Sequence, residues 1–108
     1  DARRADVARA EADRTAAERE YAAALDAQLA EYSALSANLE RAHSLRLPLA
    51  TQRASAAAGA FAAGRANAAQ LIEARRAHLE AQLETIELAE RRALVGAALA
   101  MQYGESLP

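Results

Sequence analysis

Cysteine, tryptophan and lysine are absent, aromatic residues make up 4%, and the 108 residues hold only four glycines and two prolines. Without cysteine there is no disulfide framework, thiolate nucleophile or zinc–thiolate site. With so few aromatics, and with alanine supplying most of the 53% hydrophobic share, a thick core is excluded. Alanine buries little area and favours close helix-to-helix contact instead. No apolar run is long enough to span a bilayer. The opening stretch DARRADVARA lacks the apolar centre of a signal peptide and reads as a chain cut within a helix. An excised fragment is therefore expected, and the missing signal then says nothing of location. A net charge of −2 excludes general affinity for nucleic acid.

What remains is alanine, leucine, glutamate and arginine, the composition of long helices or coiled coils. From Asp1 to Arg46 there is no helix breaker. Larger apolar residues begin at Tyr21 and continue through Leu25, Leu29, Tyr32, Leu35, Leu39, Ala42 and Leu49, alternating three and four apart as in a coiled-coil seam. Before Tyr21 the seam thins to Val7, and opposite charges sit at helical spacing, Asp6 with Arg9 and Arg14 with Glu18. Pro48 interrupts this arm. It is either a kink in one long helix or a corner between two. The kink is preferred, because Ala50 to Phe61 lacks large apolar anchors for an independent helix.

The strongest punctuation lies in FAAGRANAAQLIEARR, Phe61 to Arg76. Gly64 can take the left-handed conformation that ends a helix. Asn67 is a good N-cap, and Gln70 completes a capping box with it. A stop at Gly64 and a start at Asn67 predict a tight antiparallel reversal. The return arm then repeats Ile72, Leu79, Ile86 and Ala93 every seven residues, with Leu83 and Ala97 at the offset position. Arg76 with Glu80 and Glu87 with Arg91 form i,i+4 pairs, and Gly104 and Pro108 end the arm. The fold class is thus all-α. Residues 1–108 form a single long antiparallel coiled-coil hairpin, with arm one at 1–63, the tip at 64–67 and arm two at 67–104. Folded about Arg65, Leu45 falls near Glu84 to Ile86 and Leu25 near Glu105. Asp1 to about Ala24 overhang by ~35 Å and need other segments or other copies as partners.

Nothing here resembles catalytic machinery, and no cofactor is called for. His43 and His78 lie far apart without a second ligand at i+3 or i+4, and read as exposed helix histidines, not metal ligands. The acidic neighbours Glu18 with Glu20, and Glu11 with Asp13, do not face one another on a helix. No serine or threonine has a nearby base, and a hairpin offers no enclosed pocket. The doublets Arg75–Arg76 and Arg91–Arg92 read as stems covering an alanine-rich seam, with a partner contact as the alternative.

Phe61-Ala-Ala-Gly64, then Asn67, then Leu71-Ile72-Glu73-Ala74-Arg75, resembles the periplasmic tip of the TolC-like outer-membrane efflux factors. The flanking arms, SLRLPLATQRA and ARRAHLEAQLETIELAERRALVGAAL, are similar to the helices of the CzcC- and CusC-like subgroup that exports heavy-metal cations. That resemblance implies a trimeric outer-membrane channel whose α-helical hairpins wall a periplasmic tunnel. Their tips narrow its mouth and dock on an adaptor protein, which links to an inner-membrane pump. Carried over, the adaptor-facing tip is Ala63, Gly64, Arg65, Ala66 and Asn67. Phe61, Gly64, Asn67 and Gln70 would cap the tip and pack its gate. Phe61 stands where the family has tyrosine, so the hydroxyl bond proposed to hold the mouth shut cannot form. Asn67 replaces a serine or threonine but keeps the capping role. The implied segment is periplasmic, in the envelope of a Gram-negative cell, and is not itself embedded in membrane. Two alternatives remain. One is the coiled-coil hairpin of the adaptor, whose tip motif is of arginine-leucine-serine type, unlike FAAGRANAAQ. The other is a generic oligomerising coiled coil, which requires a strong seam throughout, and Asp1 to Ala24 lacks one.

Overall fold

A computed structural model describes the backbone of residues 1–106 and the side chains of residues 1–102. Three α-helices and one π turn follow in order: α1 (Ala2–Arg41), the π turn (Ala42–Arg46), α2 (Leu47–Ala62) and α3 (Ala68–Ser106). The first three run end to end as one rod, and α3 returns beside it. The molecule measures 90 × 27 × 15 Å. It is an all-α hairpin, and the described residues contain no strand.

The reversal follows from local chemistry. Gly64 adopts φ 74°. Its amide donates to the Phe61 carbonyl at 3.0 Å, and the Arg65 amide donates to the Ala60 carbonyl at 2.8 Å. These two bonds make a Schellman motif and satisfy carbonyls that the end of α2 would leave free. The next helix starts on a reciprocal capping box. The Gln70 amide donates to Asn67 Oδ1 at 2.8 Å, and the Asn67 amide donates to Gln70 Oε1 at 2.9 Å.

Pro48 makes neither a corner nor a break. The helical path continues through it, because the turn before it widens. The Leu47 amide donates five residues back, to the Ala42 carbonyl. A wider turn relieves the clash between the proline ring and the carbonyl four residues earlier. The Arg46 side chain caps the entry, with Nη2 donating to the Asn38 carbonyl at 3.0 Å. The extra residue also moves the seam by one position. Leu35 and Ala42 are buried as the seven-residue repeat requires, but Leu49 is 40% exposed and Ala50 takes its place against α3.

The register agrees with a fold about residues 64–65. Arg46 meets Glu84 at 3.0 Å, and Thr51 meets His78 at 3.1 Å. Arg92 Nε donates to Ser36 Oγ at 2.7 Å. Every residue from Asp1 to Ala24 is exposed. The expected contact of Leu25 with Glu105 involves a side chain outside those described. Gly104 does not end the second arm, which continues to Ser106, and Pro108 lies outside the described residues. Of the helical ion pairs expected, Arg14 with Glu18 forms at 3.4 Å. Asp6–Arg9, Arg76–Glu80 and Glu87–Arg91 do not, and Arg91 reaches across to Glu31 at 3.4 Å instead. Extended side chains in water gain little from such pairs, so competition between them is close.

The largest departure concerns which face of α3 is covered. Ile72, Leu79, Leu83 and Ile86 are each more than half exposed, as are Leu94 and Met101. Ala93 and Ala97 are exposed too. The covered face is Leu71, Ala74, His78, Ala81, Thr85, Leu88, Arg92, Val95 and Leu99, itself a three–four repeat. At 100° per residue the two stripes lie nearly opposite one another around the helix. The inner one fits because its partner positions on α2 are alanines, Ala50, Ala54 and Ala57, which call for close approach, not bulk. Farther along, Tyr32 fills the space that Gly96 leaves open, where a Cβ would stand 3.0 Å from its ring. The Arg92 guanidinium covers that ring, 5.0 Å from its centre. The buried Thr85 is bonded, its Oγ1 donating to the Ala81 carbonyl at 2.8 Å.

Candidate functional site: the tip and its flanking grooves

The tip presents small side chains and backbone. Ala63, Gly64, Arg65 and Asn67 are exposed, and Ala66 is half-buried. The motif brings Phe61, Gly64, Asn67 and Gln70 into one compact cap. Phe61 itself is 45% exposed and holds no buried core. Around Gly64 nothing lies within 4 Å of where a Cβ would stand, so glycine is required there by its positive φ and not by crowding. Arg65 makes no side-chain bond among the described residues, and its guanidinium stands in solvent at the extreme end of the rod.

Two grooves run along the sides of the tip half, where the alanine seam is narrow. One, of about 420 Å³, is lined by Arg46, Leu49, Ala50, Arg53, Glu73, Ala74 and Ala77. Its Arg46 is tied to Glu84 and to the Asn38 carbonyl, with Nε buried and unpaired. The other, of about 390 Å³, is lined by Thr51, Ala54, Ser55, Ala58, Arg75, His78 and Leu79.

His78 corrects its expected place on the surface. It is half-buried in the seam, with Nε2 at 3.1 Å from Thr51 Oγ1. With the Thr51 hydroxyl donating to the Leu47 carbonyl at 2.9 Å, its oxygen is free to accept from His78 in the tautomer protonated at Nε2. His43 is exposed. Arg75, expected to cover the seam with its stem, lines the groove beside His78, and Arg92 is built into the seam. The four residues Thr51, Ser55, Arg75 and His78 were not singled out together by sequence. Thr51 and His78 are 27 positions apart and meet only once the arms are in register. The one sequence clue is that Arg75 has Leu71, Ile72, His78 and Leu79 at helical spacing, with no acid among them. Among the described residues no group of three or more His, Asp or Glu could hold a metal ion. None of the described helices is long and apolar enough to cross a membrane.

No family model, no curated protein and no solved structure matches this chain.

Proposed function

We propose that this chain is a periplasmic α-helical hairpin of a trimeric outer-membrane efflux channel of TolC-like type. One strip of the tunnel wall would be its arms, and its tip, Ala63 to Asn67, would dock on a periplasmic adaptor coupled to an inner-membrane pump. Metal cations are the proposed cargo, on the likeness of the arms to the cation-exporting subgroup. The observation that carries the reading is the outward stripe of α3. A helix with seams on opposite sides is suited to stand between two neighbours, as a stave does in a barrel. Its partner arm covers one side, and Ile72, Leu79, Leu83 and Ile86 are left for another helix. The uncovered span Asp1 to Ala24 gives the same support. The tip supports a docking role because its small residues allow close backbone approach.

Photo-cross-linking in the full-length parent protein tests both halves of this proposal. A cross-linker at Ile86 is expected to capture another helix of the same protein, and one at Ala66 a different protein. Ala66→Trp should abolish the second product and spare the first. Capture of the same protein at both positions would remove the docking role. No product at Ile86 would remove the wall.

A further inference from the structure

We propose that the groove of Thr51, Ser55, Arg75 and His78 is a carboxylate-binding site. Its occupant is an acidic side chain on a helix that docks along this flank of the tip half. This extends the docking role proposed for the tip, from its end down one side of the hairpin.

Three observations support the assignment. First, the groove holds a cation with no partner: among the described residues Arg75 makes no ion pair or hydrogen bond, and none of the groove's lining residues is an acid. Second, the groove holds a hydroxyl open to an acceptor. Ser55 has no hydrogen-bond partner among the described residues, and Thr51 fixes the His78 ring through Nε2. A carboxylate can accept from a guanidinium and a hydroxyl together, while its aliphatic stem rests on Ala54 and Ala58. Third, the surroundings select the charge of the partner. Over the tip half of both arms, residues 41–88, six arginines (Arg41, Arg46, Arg53, Arg65, Arg75 and Arg76) stand against four glutamates (Glu73, Glu80, Glu84 and Glu87). In a chain whose net charge is −2, that positive excess, with no acid in this groove's lining, is complementary to an acidic partner. The opposite groove lacks this character, since Glu73 lines it and Glu84 occupies Arg46.

The two histidines provide paired reporters. Sodium acetate is titrated into the 108-residue chain against sodium chloride at matched ionic strength, and the ring resonances of both histidines are followed by NMR. The His78 signals should move saturably with acetate and not with chloride, several-fold more than those of His43. Arg75→Gln should remove that response. Arg53→Gln, on the other groove, should preserve it. Circular dichroism checks that both variants keep the hairpin. Equal movement of the two histidines, or equal loss in the two variants, overturns the site. In the full-length parent, Arg75→Glu should reduce cross-linking from Ser55 to another protein while leaving cross-linking from Ile86 intact. Undiminished capture from Ser55 counts against the acidic occupant. Absence of any product from Ile86 in the unmutated protein counts instead against the channel wall.

Discussion

On α3, Leu88, Val95 and Leu99 face the partner arm in company with His78, Thr85 and Arg92, while Ile72, Leu79, Leu83 and Ile86 face away from it. The inner stripe is narrow, mixed and bonded, and the outer one is almost purely aliphatic. In an isolated hairpin the reverse would bury more apolar area. The difference shows that hydrophobicity alone did not choose the contact face. Closeness did: alanines on α2, and Gly96 opposite Tyr32, let the arms approach where larger side chains would hold them apart. The bulky residues are then left for a surface with more room.

The two faces should separate most clearly in stability. Leu35 is 8% exposed, and Leu35→Ala should cost about 2–3 kcal/mol in urea denaturation of the monomer. Ile86→Ala should change the same measurement by less than ~0.5 kcal/mol. Equal losses would mean that the outer stripe is already covered within one chain. The tip comes next. Gly64→Ala places a Cβ in the left-handed region at φ 74°, which should cost about 1–2 kcal/mol while leaving helix content unchanged. A gain in stability together with a longer rod in small-angle scattering would show the reversal opening instead. Asn67→Ala removes the cap accepting from Gln70 and should cost about 1 kcal/mol by thermal melting. A small effect is also expected from Arg46→Gln. Its pair with Glu84 is 42% and 50% exposed, so less than ~1 kcal/mol should be lost, falling further with added salt. A larger loss would give the charged flank a share in aligning the arms that the alanine seam is here credited with.

These contrasts also explain what could be read from the residues alone. The reversal was legible because its chemistry is local: Gly64, Asn67 and Gln70 lie within seven consecutive residues and need no distant partner. Register followed from it, since a fixed tip fixes which residues stand abreast. The contact face of α3 was not legible, because two seven-residue repeats run through the same helix and the one with larger side chains faces outward. The π turn was hidden as well. Nothing in Ala42 to Arg46 marks a wider turn by composition, and Pro48 alone leaves kink and corner both open. The Arg75 groove depended on both, since Thr51 lies beyond the π turn and His78 on the inner stripe. The docking residues Ala63 to Asn67 are a separate matter: they rest on the likeness of the tip, and their exposure only makes them reachable.

The π turn has one more consequence. By admitting a residue without breaking the rod, it sets the angular phase of everything beyond it. Closing Ala42 to Arg46 into an ordinary α turn, with no residue removed, would turn the whole distal third of the arm about its own axis. Leu49 would swing inward, Thr51 would lose its histidine, and the positive side of the molecule would point in a new direction. Five residues in mid-arm therefore govern the bearing of a tip roughly thirty ångströms away.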